Sequence, residues 1–225
     1  MRRNIYGIFV AGGSGTRMGG DVPKQFLLLD GKPILQWTIE RFLEADPDMT
    51  VVTVLPRIHF RTWKDLCAVH SFDCPQILVA GGLTRFHSVQ NALKKVPDGA
   101  IVSIHDGVRP LVSPELVRQM LARMQDGTRA LLPVVKVVDT LRSTEPGVPA
   151  PDRSRTVAVQ TPQMFLSEDI RAASGQAYDL SFTDDASVAE SKGIPLSFIE
   201  GERFNLKITT PEDLVLAEAV LTRKI

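Results

Sequence analysis

The chain has 225 residues, of which 44% are hydrophobic, so it is long enough to bury the core of one domain. Its 26 Lys and Arg balance its 26 Asp and Glu, which argues against a general binder of nucleic acids or membrane surfaces. No apolar run approaches the roughly 20 residues that span a bilayer, and the N-terminal segment lacks a signal-peptide pattern, so we expect a cytoplasmic protein.

Apolar runs alternate with amphipathic segments through the first 135 residues. The apolar runs predict strands at 5–11, 50–55, 76–80, 100–105 and 129–135. The intervening segments predict helices near 33–46, 58–70, 84–96 and 113–126. This alternation predicts an α/β fold, a mostly parallel twisted sheet with helices on both faces, in which ligands bind at the carboxyl ends of the strands.

A protruding β-hairpin arm is predicted at about 136–159. Two β-rich segments, 134–142 and 154–160, flank the tip STEPGVPAPD, which holds three prolines and one glycine. Exposed strand edges need cover, and a second copy of the chain would supply it, so we predict a homodimer through the arm. A solvated flap is the alternative.

The C-terminal third completes a single domain over residues 1–225. Thr210 and Pro211 are typical of the start of a final helix, because Thr caps a helix and Pro suits its first turn. Further elements are predicted before it, helices near 167–175 and 184–192 and a strand near 196–200.

A glycine-rich segment at 11–15 follows the first predicted strand, and the cations Arg17 and Lys24 come after it. Backbone N–H groups of such a segment bind anions, and two cations favour a ligand with several negative charges, such as a nucleoside triphosphate. The segment is neither a Walker A loop, which needs Gly-Lys-Ser/Thr, nor a dinucleotide loop, since Met18 replaces the third glycine. An ordinary glycine-rich turn with solvated cations is the alternative.

This arrangement suits nucleotidyl transfer, in which the α-phosphorus is attacked and pyrophosphate leaves. Prearranged cations and Mg²⁺ stabilise the charge that develops, and a substrate phosphate needs no protein nucleophile. The two cysteines, Cys67 and Cys74, are too few for a zinc site, and we expect reduced, packed thiols.

Seven short motifs together resemble the 2-C-methyl-D-erythritol 4-phosphate cytidylyltransferase family, a cytidylyltransferase branch of the nucleotidyltransferases. The resemblance covers nearly the whole chain. The motifs are AGGSGTRMGGDVPKQF at 11–26, GGLTRFHSV at 81–89, HDGVRP at 105–110, DT at 139–140, QTPQMF at 160–165, TDDAS at 183–187 and NLKITTPEDL at 205–214.

The resemblance implies that CTP and a polyol phosphate, methylerythritol phosphate, are joined in the non-mevalonate isoprenoid pathway with release of pyrophosphate. It implies Mg²⁺ as cofactor, with Asp106 as a candidate ligand. The implied catalytic residues are Arg17 and Lys24. The implied nucleotide-binding residues are Ala11, Gly12, Gly13, Ser14, Gly15, Gly82, Arg85 and Ser88. The implied substrate-binding residues are Asp106, Arg109, Thr140, Arg153, Thr161 and Lys207.

In the family the arm reaches the neighbouring subunit's site, which implies that role for Thr140 and Arg153, with Arg155 as the alternative to Arg153. Leu83 departs from the family, in which Asp is common at this position. We expect His105 to be a packed strand-end residue rather than a base.

Two other functions fit the same residues. A ribitol 5-phosphate cytidylyltransferase would share the chemistry and differ in the polyol pocket. A nucleotide-binding regulatory protein would show no turnover, but it would need no second anion site such as the one at Asp106 and Arg109.

Overall fold

Ten strands lie in the described part of the computed structural model, which is residues 2–13 and 22–223. They are β1 (Ile5–Val10), β2 (Leu28–Leu29), β3 (Lys32–Pro33), β4 (Thr50–Leu55), β5 (Gln76–Ala80), β6 (Ile101–Asp106), β7 (Ala130–Lys136), β8 (Val157–Val159), β9 (Gln163–Leu166) and β10 (Ser197–Glu200). Eight form one sheet in the order β10-β7-β9-β6-β1-β4-β5, with β8 beside β7, and β2 pairs with β3.

The centre of the sheet is parallel. β1 pairs in parallel with β4 and β6, and β4 pairs in parallel with β5. Within this sheet, the antiparallel pairs of the described strands involve β9 or β8. The carboxyl ends of β1, β4, β5 and β6 therefore meet at one edge.

The described chain has seven α-helices, and members of this set pack on both faces of the sheet. They are α1 (Ile34–Ala45), α2 (Phe60–Val69), α3 (Arg85–Leu93), α4 (Pro114–Gln125), α5 (Ser167–Ser174), α6 (Asp185–Glu190) and α7 (Pro211–Arg223). Ile8 and Phe9 are consecutive and fully buried, but they belong to different core clusters, one with α3 and α5 and one with α1 and α4. This burial on both sides explains the continuous apolar run of β1.

The predicted α/β fold is confirmed. Outside the arm, the ends of the predicted helices and strands shift by three residues at most. The helix starts follow capping chemistry, since Ser113 accepts a hydrogen bond from Leu116 N and Asp184 forms a capping box with Ser187. Asp213 N donates to Thr210 Oγ1 over 3.4 Å, as the predicted cap of the last helix requires.

The arm has shorter strands than the sequence predicts. β7 and β8 pair antiparallel from Val134 and Val159 to Lys136 and Val157, and the pairing ends there. Residues 138–155 are all exposed, so no other described part of the chain packs against the hairpin to extend it.

Two further observations concern the whole of the described chain. None of its helices combines the length and the apolar character needed to cross a bilayer. Cys67 and Cys74 are free and half-buried, as expected, and burial raises the pKa of the Cys67 thiol to about 11.

Candidate active site

A cavity of about 430 Å³ opens at the carboxyl ends of the four parallel strands. Each strand contributes a lining residue at or just after its end: Val10 for β1, Pro56 for β4, Gly81 for β5 and Asp106 for β6. This is where an open parallel sheet binds its ligand.

The first wall is the start of the glycine-rich segment. Ala11, Gly12 and Gly13 line the cavity, whereas Ser14, Gly15 and Arg17 lie outside the described residues. A Cβ added at Gly12 would meet no atom of the described residues within 4 Å, so among them this face of the backbone is open to a ligand. The sequence implies that Ala11 binds the nucleotide, but its backbone N–H is already used. This N–H donates to Val54 O over 2.9 Å.

Lys24 lies on a short 3-10 helix, Lys24–Phe26, that packs against the core. Lys24 lines the cavity, and its Nζ donates to Ile208 O over 3.2 Å. Gln25 Nε2 donates to Ala11 O over 2.9 Å, and the Phe26 ring stacks on Trp63. The two neighbours of this lysine along the helix thus fix it against β1 and α2.

The second wall is the turn that leads into α3. Ser88 Oγ accepts from Gly82 N over 3.0 Å and donates to Thr84 O over 2.9 Å, which orders the turn. A Cβ at Gly82 would lie 2.4 Å from His87 Cβ, so packing inside the turn already requires this glycine. Leu83 lines the rim and is 96% exposed.

Asp106 gathers three cations at the end of β6. Its Oδ2 lies 3.0 Å from Lys207 Nζ and 3.2 Å from Arg109 Nε, and its Oδ1 lies 3.8 Å from Arg85 Nε. Burial alone would raise the pKa of Asp106, but the neighbouring cations, Arg85 first among them, outweigh it and hold the pKa below its ordinary value. Asp106 is therefore ionised at neutral pH.

Arg85 both lines the cavity and begins α3. Its Nη1 lies 2.6 Å from Asp185 Oδ2, a buried carboxylate at the start of α6. Its Nη2 is buried and has no hydrogen-bond partner in the described chain, which leaves a donor for a ligand. The motif TDDAS predicts a helix start at Asp184 and Asp185, with metal binding by these carboxylates as the alternative, and it does not reveal the pairing with Arg85.

His105 is the packed strand-end residue that the sequence predicts. It is fully buried against Phe9 and Phe42, and this burial lowers its pKa to about 3. Its Nε2 lies 3.2 Å from Arg109 O, which can only accept, so Nε2 carries the proton. Nδ1 then accepts from Thr161 Oγ1 over 3.0 Å, and His105 is neutral and not a general base.

The predicted substrate-binding residues fall into three groups. Asp106 and Lys207 line the cavity. Arg109 and Thr161 contact Asp106 without lining the cavity, since Asp106 N donates to Thr161 Oγ1 over 3.1 Å. Thr140 and Arg153 are exposed on the arm, where Arg153 Nη1 donates to Val138 O over 2.9 Å.

Comparison with known proteins gives one family. Residues 5–223 match the family described as IspD: 2-C-methyl-D-erythritol 4-phosphate cytidylyltransferase. The chain is 48% identical over 227 residues to the protein of that name from Porphyromonas gingivalis, covering 99% of this chain and 100% of that protein. It is 46% identical over 215 residues to the one from Bacteroides thetaiotaomicron, covering 95% of this chain and 98% of that protein.

Solved structures of similar proteins give the same result. The crystal structure of 2-C-methyl-D-erythritol 4-phosphate cytidylyltransferase from Thermus thermophilus matches with a TM-score of 0.73 and 30% identity, covering 98% of this chain and 99% of that chain. The 4-diphosphocytidyl-2C-methyl-D-erythritol synthase from Anaerococcus prevotii matches with a TM-score of 0.82 and 27% identity, covering 98% of this chain and 97% of that chain.

Proposed function

The chain belongs to the 2-C-methyl-D-erythritol 4-phosphate cytidylyltransferase family, and we propose that the cavity beside Asp106 is its active site. As a member, it is a nucleotidyltransferase that joins CTP to 2-C-methyl-D-erythritol 4-phosphate in isoprenoid biosynthesis, giving 4-diphosphocytidyl-2-C-methyl-D-erythritol and pyrophosphate. The observation that carries the assignment of the site is the convergence of Lys24, Arg85 and Lys207 on one cavity at the carboxyl ends of the parallel strands.

The reaction brings two anions together, and the charges around the cavity favour this. A phosphate oxygen of the polyol phosphate attacks the α-phosphorus of CTP, a new P–O bond forms, and the bond to the departing pyrophosphate breaks. The four cations Lys24, Arg85, Arg109 and Lys207 outnumber the two carboxylates of Asp106 and Asp185. This excess offsets the repulsion and stabilises the charge that develops. The attacking phosphate is already ionised, so the neutral His105 is not needed as a base.

We assign the triphosphate to the wall at Gly12 and Gly13, beside Lys24. Lys24 would neutralise charge on the α-phosphate and on the leaving pyrophosphate. We retain Arg17, with Ser14 and Gly15, as partners in this task on the strength of the sequence, since they lie outside the described residues. The cytosine base would lie against the turn that contains Gly82 and Ser88. Backbone carbonyl groups would bind it, because Gly82 N already donates to Ser88 Oγ. Arg85 Nη2 offers a further donor.

We assign the polyol phosphate to the side of the cavity where Lys207 and Asp106 lie. Lys207 and Arg109 would bind the phosphate, the former as a point charge and the latter as a planar fork. The Asp106 carboxylate would accept hydrogen bonds from polyol hydroxyls. The Thr161 hydroxyl accepts from Asp106 N and donates to His105 Nδ1, so Thr161 would support substrate binding through Asp106.

Mg²⁺ fits this site as a cofactor held mostly by the nucleotide. Among the described residues, no group of three or more His, Cys, Asp or Glu side chains could hold a metal ion. Mg²⁺ commonly takes only one or two carboxylates besides substrate phosphates. Asp106 Oδ1 suits that role, because its nearest cation, Arg85 Nε, is 3.8 Å away while Oδ2 contacts both Lys207 and Arg109. When bound, Mg²⁺ would screen the phosphate charges.

We further propose a homodimer in which the arm of one subunit completes the site of the other. Thr140 and Arg153 are exposed and line no part of the cavity of their own chain. The arm also exposes Val138, Val157 and Val159, which a partner would cover. We place the enzyme in the cytoplasm, where CTP is available, without a nucleic-acid or membrane partner, as the balanced charge suggests.

Release of pyrophosphate from CTP tests the function. We expect turnover with 2-C-methyl-D-erythritol 4-phosphate and Mg²⁺, and little with ribitol 5-phosphate. Lys24→Ala should lower kcat by about 10²–10³-fold, as for loss of one prearranged transition-state contact. Lys64→Ala, which removes an exposed lysine of α2, is the matched control and should retain full activity. Near-normal turnover of Lys24→Ala would contradict the proposed site.

A further inference from the structure

Four residues from three separate segments form a closed ring of hydrogen bonds beside the cavity. Asp106 N donates to Thr161 Oγ1 over 3.1 Å, and Asn205 Nδ2 donates to Thr161 O over 2.8 Å. Arg109 Nη1 donates to Asn205 O over 2.7 Å, and Arg109 Nε donates to Asp106 Oδ2 over 3.2 Å, which closes the ring. Three of these residues are proposed substrate-binding residues, and Asn205 is the fourth.

Asn205 anchors an irregular segment through its side chain. Residues 201–207 contain no helix or strand, and Arg203 and Phe204 within them are exposed. Asn205 is 1% exposed. Its side-chain amide donates to Thr161 O. This contact holds the Asn205 backbone carbonyl in the place where it accepts the hydrogen bond from Arg109.

We propose that Asn205 is a positioning residue for the polyol phosphate: it holds Arg109 and, through Thr161, Asp106 in the geometry that binds the substrate, without touching the substrate itself. This inference rests on the function proposed above. Arg109 is well placed to depend on it. Nε and Nη1 of its guanidinium are held by Asp106 and Asn205, while Nη2 makes no hydrogen bond within the described chain. Two fixed nitrogens hold the guanidinium in one orientation and leave Nη2 available to a ligand.

The nucleotide side should not depend on Asn205, because the next anchor along the chain is independent. Ile208 N donates to Val108 O over 2.9 Å, and the Ile208 side chain is fully buried with Leu29 and Val108. Ile208 O accepts the hydrogen bond from Lys24 Nζ. Losing the Asn205 amide therefore leaves the position of Lys24 unchanged.

Steady-state kinetics of Asn205→Ala and Asn205→Leu test the proposal. Leu keeps the number and branching of the side-chain heavy atoms but removes the amide, so it remains informative if the cavity left by Ala prevents folding. We expect the KM for the polyol phosphate to rise by about tenfold or more, as for a misplaced binding group, and the KM for CTP to change by less than about twofold. Phe204→Ala, an exposed neighbour in the same segment, is the control and should behave as wild type. Equal rises in both KM values, or no rise in either, would overturn the proposal.

A double-mutant cycle with Arg109→Ala separates positioning from general loosening of the fold. If Asn205 acts through Arg109, then Asn205→Leu should add little to the KM for the polyol phosphate once Arg109 is Ala. Fully additive effects would count against the proposal. A crystal structure of Asn205→Leu gives a test that needs no turnover. We expect the Arg109 guanidinium to leave its present place, and an unmoved guanidinium would overturn the proposal even if the enzyme acts on another polyol phosphate.

Discussion

Lys207 Nζ lies 3.0 Å from Asp106 Oδ2, although the two residues are about 100 positions apart in the sequence. Lys207 precedes the last helix, and Asp106 ends a central strand of the sheet. The contact ties the C-terminal segment to the edge where the parallel strands end. One carboxylate therefore organises a cluster of cations that would otherwise repel one another.

Asp106→Asn should lower both activity and stability. We expect the free energy of unfolding at pH 7 to fall by about 2 kcal/mol, the scale of hydrogen bonds to charged groups. The pKa of Asp106 in the folded state is below its ordinary value, since the surrounding cations outweigh burial. As the pH falls, Asp106 therefore takes up a proton in the unfolded state before it does so in the folded state. The stabilisation that Asp106 gives above about pH 4 is lost below it.

Urea denaturation from pH 8 to pH 3 checks this prediction. The difference in free energy of unfolding between wild type and Asp106→Asn should stay constant down to about pH 5 and shrink below about pH 4. A difference that starts to shrink near pH 6 would mean that Asp106 is not held ionised by its neighbours.

His105 should make the protein sensitive to mild acid. Burial lowers its pKa to about 3, whereas in the unfolded chain it is about 6.5. Between these values only the unfolded state takes up the proton, so stability falls as the pH is lowered through this window. His105 changes the free energy of unfolding by up to about 1.4 kcal/mol per pH unit.

His105→Gln keeps a hydrogen-bonding side chain but does not titrate, so it isolates this effect. We expect the free energy of unfolding of the variant to depend less steeply on pH between about 6.5 and 4.5 than that of wild type. The other three histidines are present in both proteins, so the difference between the two profiles isolates His105. Parallel pH profiles would show that His105 is not kept neutral by burial.

Two glycines of the cavity should respond differently to Ala. Gly82→Ala places a Cβ 2.4 Å from His87 Cβ, so we expect a loss of stability of about 1–3 kcal/mol, as for overpacking, together with a higher KM for CTP. The Cβ of Gly12→Ala meets no described residue within 4 Å, so we expect unchanged stability and a higher KM for CTP alone. Thermal unfolding of the ligand-free variants distinguishes the two. Equal melting temperatures would contradict the internal packing role of Gly82.

Much of this molecule follows from local patterns. The apolar run of β1 and the Thr210–Pro211 start of the last helix predict the elements that are present, because burial and capping leave local signatures. The pairing of Arg85 with Asp185 and the ring through Asn205 join residues far apart in sequence, and no local pattern specifies such partners. The arm strands were predicted too long because β-rich composition does not reveal whether a neighbour is present to pair with them.

Mixing two impaired dimers tests whether the arm completes the neighbouring site. Lys24→Ala impairs the cavity of its own chain, and Thr140→Val should impair the cavity that its arm reaches, raising the KM for the polyol phosphate more than that for CTP. A heterodimer of the two variants then contains one site with both residues intact. After subunit exchange of an equal mixture at limiting polyol phosphate, about one quarter of wild-type activity should return, because half the dimers are mixed and each has one intact site of two.

The restored activity depends on which chain supplies Thr140, and this makes the experiment decisive. If the arm served its own chain, every site in the mixed dimer would carry one defect, and mixing would restore nothing. Lys24→Ala mixed with Arg109→Ala is the matched control. Arg109 contacts Asp106 within its own chain, so these two defects stay in separate sites and should not complement. Restoration in that control, or none with Thr140→Val, would contradict an arm shared across the dimer.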